Sequence, residues 1–109
     1  MTVNNCVEEI SGNHFEEKIN KKLIVVDFFA EWCMPCLMMS PIVEEMAEKF
    51  KGKIDFCKVN IDENAEISEK HSVMSVPTFI IFKDGKESDR IVGSMAADVF
   101  EEKLKSLVE

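Results

Sequence analysis

Basic residues are in the minority in this 109-residue sequence: 13 lysines and arginines face 21 aspartates and glutamates, for a formal net charge of −8. They form no cluster, and without a basic stripe to neutralise a phosphate backbone, nucleic acid is not an expected partner. Histidine is scarce as well. His14 and His71 stand alone, H-x-x-x-H does not occur and C-x-x-C occurs once, so a four-ligand tetrahedral metal site has no obvious donors. Long apolar runs are missing, and no stretch approaches the roughly 20 residues of a membrane span. The opening Met-Thr-Val-Asn-Asn lacks the basic and apolar regions of a secretory leader, which makes the cytoplasm the expected location. Only four glycines and three prolines are present, and no repeat, low-complexity tract or linker divides the chain. Its length fits one domain over residues 1–109. The acidic excess reads as solvated helix faces around 44–48 and 63–69 and favours a soluble monomer.

What is there is an alternation of strand and helix patterns. Val3 to Ile10 reads as a strand, and Asn13 with Glu16 as a capping box for a helix reaching about Asn20. Leu23 to Phe29 is nearly unbroken in apolar residues, as in a central strand covered on both faces. From Cys33 the spacing becomes helical through Met39, Ile42, Val43, Met46, Ala47 and Phe50, with Gly52 as a stop and Pro41 as an internal kink. Ile54 to Ile61 reads as a third strand, and Asp62 as the cap of a short helix to about His71. Val76 to Phe82 and Glu87 to Val92 read as a hairpin turning at Asp84-Gly85. A last helix presents Ala97, Phe100, Leu104, Leu107 and Val108 without a strong N-cap. Crossovers in the first part require parallel pairs and the hairpin an antiparallel one, which gives a mixed α/β sheet with helices on both faces.

The chemistry centres on Phe28-Phe29-Ala30-Glu31-Trp32-Cys33-Met34-Pro35-Cys36. Two cysteines in the first turn of a helix have Cα atoms ~5 Å apart by helix geometry, within disulfide range. The unpaired N–H groups and positive dipole end of that turn stabilise a thiolate at Cys33, leaving Cys36 to resolve a mixed disulfide. Asp27, a carboxylate in an apolar strand, is a candidate to exchange a proton with the Cys36 thiol; an ion pair with Lys58 is the compatible alternative. Cys6 and Cys57 read as small buried hydrophobes, with a regulatory thiol as the other possibility. Pro77 opens a strand, where either isomer fits.

Taken together, Val26 to Cys33, Pro35-Cys36, Pro41, Lys58 to Asp62, Val76-Pro77-Thr78, Phe82 to Gly85 and Gly93 stand in an order and spacing that resemble the thioredoxin family, from about Val7 to the end of the chain. The resemblance implies a thioredoxin fold with sheet order 1-3-2-4-5 and four flanking helices. It implies a protein-disulfide reductase with no bound cofactor, acting on disulfide-containing proteins and recharged by a thioredoxin reductase. By the same resemblance Cys33 is the attacking thiolate, Cys36 the resolving thiol, Asp27 the proton carrier coupled to Lys58, and Pro77 a cis proline facing the pair. The Val76 backbone would pair with a substrate chain, and Trp32, Pro35, Met34, Met74, Val76 and Gly93 would form the docking surface. A partner-specific reductase, a glutaredoxin-like or isomerase-like protein and a non-catalytic scaffold are alternatives on the same fold. Three positions depart from the family pattern: Met34 where glycine is usual, Leu37 where a basic residue is usual, and Phe29 where tryptophan is frequent.

Overall fold

Strand alternation decides how the sheet is sandwiched. In the computed structural model, which describes residues 7–109, β2 (Ile24–Phe29) is the central strand and is buried along almost its whole length. Ile24, Val26 and Phe28 face one side, packing with Phe15, Ile19, Val59, Ile80 and Phe82. Val25 faces the other, with Met39, Val43, Met46, Phe79, Phe100 and Leu104. Each such side chain removed from water contributes about 1.5–3 kcal/mol, so two cores rather than one hold this strand in place. Period-two alternation puts Asp27 on the Val25 side, towards the long helix α2 (Met34–Lys49).

The other strands are β1 (Glu8–Glu9), β3 (Asp55–Asn60), β4 (Thr78–Lys83) and β5 (Lys86–Val92), in the order β1-β3-β2-β4-β5. The β1–β3 and β3–β2 pairs are parallel; β2–β4 and β4–β5 are antiparallel. The order implied by the family resemblance and the mixed polarity read from the connections therefore hold. The β4–β5 turn uses Asp84 and Gly85, both at positive φ (52° and 85°), the two-residue geometry that matches strand twist. Flanking the sheet are α1 (Phe15–Lys18), α2, α3 (Ala65–Lys70) and α4 (Ala97–Val108). Phe100 of α4 meets Phe79 with ring centroids 4.9 Å apart, and its N-cap, Ala96, has no side-chain cap, as its sequence suggests. Among the described residues no helix is long and apolar enough to cross a membrane.

Several local expectations are corrected. The capping box at Asn13 and Glu16 does not form. Gly12–His14 tighten into a 3₁₀ turn, His14 becomes the cap position of α1 without a side-chain bond, and the helix ends at Lys18. Asp62 does not cap α3, whose cap position is Asn64. The Asn64 side chain instead accepts the Gly12 N–H (2.7 Å) and donates to the Asn60 carbonyl (3.0 Å), tying the two segments together. Within the described residues, β1 is only two residues long; the rest of the strand expected from Val3 lies largely outside them, as does Cys6. Cys57 is buried, and burial pushes its thiol up to about 12, which fits an inert core residue rather than a regulatory thiol.

Candidate active site

The sequence turns from strand to helix at Cys33, and Cys33 is itself the N-cap of α2. Its backbone is extended (φ −90°, ψ 107°) and its Sγ accepts the Cys36 N–H at 3.1 Å. Pro35 falls in the first helical turn, where its missing N–H costs nothing. Cys33 and Cys36 are joined in a disulfide with Cα atoms 5.2 Å apart, close to the separation expected from helix geometry. Exposure does not rank the two, since both are nearly buried at 3% and 6%; their surroundings do. Cys33 Sγ lies 3.6 Å from the Val76 carbonyl oxygen, an acceptor for the thiol of the reduced state. Cys36 instead lines a cavity of about 150 Å³ together with Asp27, Glu31, Leu37, Ser40 and Lys58.

Asp27 is buried, its Oδ1 has no hydrogen-bond partner, and burial raises its carboxyl to about 7 against an opposing pull from Lys58. Asp27 and Lys58 are register partners across β2 and β3. No ion pair joins them; the Lys58 ammonium stands 5.5 Å from the centroid of the Phe29 ring. The ion-pair alternative is thus set aside, and Asp27 and Cys36 line one small cavity wide enough to admit water.

The third part of the site is the loop before β4. The Val76–Pro77 peptide is cis. Thr78 Oγ1 donates to the Ser75 carbonyl (2.7 Å), and the Gly93 N–H donates to the Pro77 carbonyl (2.9 Å). Gly93 sits at φ +97°, a conformation open to glycine at little cost. Sequence reasoning missed Arg90. Its guanidinium grips Glu87 with two bonds of 2.9 and 3.0 Å and also donates to the carbonyls of His71 (2.7 Å) and Ser72 (3.1 Å), clamping β5 to the segment that leads into this loop. It also missed the role of Asp62, whose carboxylate accepts the Trp32 indole N–H at 2.8 Å and fixes the ring beside the disulfide. Trp32, Met34, Leu37 and Met74 are exposed, Pro77 is buried, and Val76 packs against the cysteine pair.

A sequence model of the thioredoxin family matches residues 6–106. The chain belongs to the thioredoxin family. It is 42% identical to a thioredoxin of Staphylococcus epidermidis over 88 residues, covering 81% of this chain and 85% of that one, and 41% identical to a thioredoxin of Staphylococcus aureus over the same span. Among solved structures, a thioredoxin of Plasmodium falciparum superposes with a TM-score of 0.85 at 34% identity, covering 92% of this chain and 98% of the other. A single-site mutant thioredoxin of Halobacterium salinarum superposes at 0.84 with 28% identity, covering 100% and 97%. As a thioredoxin, the chain is a thiol-disulfide oxidoreductase that reduces protein disulfides by dithiol exchange through Cys33 and Cys36. Thioredoxins act with disulfide substrates and a thioredoxin reductase and carry their electrons in the cysteine pair itself. Among the described residues no cluster of three His, Cys, Asp or Glu side chains could hold a metal ion.

Leu37 gives this thioredoxin an apolar neighbour one helical turn from Cys33; its N–H donates to the Cys33 carbonyl at 3.1 Å. Leu37→Lys adds a cation one helical turn from Cys33, on the lining of the cavity shared by Cys36 and Asp27. The Cys33 thiol is expected to become more acidic by a few tenths of a pH unit, as for other exposed charges. The pH dependence of its alkylation by iodoacetamide measures the shift.

Proposed function

We propose that the residues divide the exchange as follows. The Cys33 thiolate, favoured by the Cys36 N–H and the helix dipole, attacks one sulfur of a substrate disulfide. A mixed disulfide forms at Cys33 and the other substrate sulfur leaves as a thiolate. Cys36 then gives its proton to ionised Asp27 and attacks Cys33 Sγ, closing the Cys33–Cys36 disulfide and releasing the second substrate sulfur. Two electrons pass to the substrate, whose two thiolates take protons from water, and Asp27 returns the Cys36 proton to solvent through the cavity. Lys58 bounds the cavity and favours the charged form of Asp27. Trp32, Met34, Pro35, Met74, Val76 and Gly93 form the docking face, with the backbone at Val76 aligning the substrate chain against Cys33. Pro77 holds that backbone in place.

The observation that carries this division is that Cys33 contacts the Val76 carbonyl on the rim while Cys36 shares a cavity with a raised, unpartnered carboxyl. The protein acts as a single-domain monomer in the cytoplasm; the acidic charge supports this reading. Insulin is the substrate for a test. Catalytic amounts of the chain are expected to speed insulin reduction by dithiothreitol at least tenfold, with glutathione a poor replacement for dithiothreitol. No acceleration, or an equal rate with glutathione, would overturn the assignment to general protein-disulfide reduction.

A further inference from the structure

Among the described residues the methionines range from core to surface, with Met95 half-buried against the core. Met39 and Met46 are fully buried between α2 and the sheet, whereas Met34, Met38 and Met74 are 65%, 68% and 90% exposed. Met34 follows Cys33 directly, and Met38 lies one turn further on the same face of α2. Met74 stands two residues before Val76, whose carbonyl oxygen is 3.6 Å from Cys33 Sγ. Three accessible thioethers thus occupy the two segments that frame the reactive sulfur. In the disulfide state the pair offers no thiolate to an oxidant, so a peroxide reaching this face meets the thioethers.

A thioether is soft, apolar and adaptable, and suits varied apolar partners; its sulfoxide is polar and demands hydrogen bonds that an apolar partner cannot return. We propose that Met34, Met38 and Met74 form an oxidant-sensitive rim, at which hydroperoxides suppress docking of protein substrates while leaving the exchange chemistry of the cysteine pair intact. The proposal rests on the reading of this face as the docking face. In each step the thioether sulfur attacks a peroxide oxygen. The O–O bond breaks and an S–O bond forms, the sulfur giving up two electrons. The other oxygen leaves as water, with both peroxide protons when the oxidant is hydrogen peroxide.

The test treats the intact disulfide form with hydrogen peroxide, removes the excess with catalase and maps oxidation by peptide mass spectrometry. Reduction of insulin and of the small disulfide dithiobis-nitrobenzoate is then compared before and after treatment. Sulfoxide is expected at Met34, Met38 and Met74 and not at Met39 or Met46. KM for insulin should rise about tenfold, the effect of placing unmatched polar groups in an apolar contact, while the rate with the small disulfide stays the same. The triple variant Met34→Leu, Met38→Leu, Met74→Leu, compared only with itself, should show no rise in KM after peroxide. Full oxidation of the three methionines with an unchanged insulin KM would overturn the proposal, as would an equal peroxide effect in the triple variant. Untreated protein that fails to reduce insulin would overturn the reductase reading, and the rim proposal with it.

Discussion

Cys36→Ser is expected to turn a catalyst into a trap. Without the resolving thiol, a substrate captured at Cys33 can leave only by attack of an external thiol, so the covalent adduct accumulates. Non-reducing electrophoresis after incubation with an oxidised protein substrate should show one mixed disulfide per molecule, dissolved by dithiothreitol. Cys33→Ser is the complementary case. A serine hydroxyl is a good N-cap, so it can replace the sulfur that accepts the Cys36 N–H, and the fold should remain. Loss of the nucleophile should nonetheless lower insulin reduction at least ~1,000-fold and abolish trapping. If adducts formed at Cys36 in this variant at the rate seen with Cys36→Ser, the order of attack would be reversed.

Asp27→Asn is expected to raise stability and lower activity together. The folded protein holds the Asp27 proton up to about 7, against an ordinary carboxylate value of 3.8. Below pH 4 the group is neutral in both folded and unfolded chains and costs nothing through ionisation. Between about 4 and 7 the folded state keeps a proton that the unfolded state has released, so stability falls as pH rises. Above 7 the loss is complete, on the order of 4 kcal/mol at about 1.4 kcal/mol per unit. The amide removes that ionisation but leaves a buried polar group in an imperfect site. The net gain should be about 2–3 kcal/mol near pH 8, shrinking toward zero near pH 4. Urea denaturation of the oxidised protein at the two pH values measures it. In the proposed mechanism the same variant lacks the proton acceptor for Cys36, so turnover near pH 7 should fall roughly 10- to 100-fold. Its rate should climb with pH, without the inflection near 7 expected of the native protein. A variant no more stable at high pH would show that Asp27 is not held in a desolvated state.

The most legible residues were those that conflict with their surroundings. Asp27 stood out because a carboxylate in an apolar strand needs a reason. The cysteine pair stood out because a helix start and the spacing fix both its distance and its polarity. The sheet order was legible through the family resemblance, and its mixed polarity through the contrast between crossovers and the Asp84-Gly85 turn. Local capping was misread where a distant partner wins. The Asp62 carboxylate binds the Trp32 indole from 30 residues away, and the Asn64 side chain binds Gly12 across 52. No short-range pattern contains those pairs. Arg90 was invisible for the same reason, since the His71 and Ser72 carbonyls that it holds belong to another segment. The Pro77 isomer also depends on context, because the two X-Pro forms differ intrinsically by only about 1 kcal/mol.

The sheet margins carry one more implication, for behaviour at high concentration. Among the described residues one margin is the two-residue β1; the other is β5, Lys86-Glu87-Ser88-Asp89-Arg90-Ile91-Val92, dense in charge along its solvent-facing length. Short or charged margins resist strand-to-strand self-association. In the proposed mechanism the backbone that meets a substrate chain lies instead in the loop at Val76, outside the sheet ladder, with its carbonyl oxygen 3.6 Å from Cys33 Sγ. Under that mechanism an extended substrate segment can be grasped without the protein offering its own strands as a template for polymer growth.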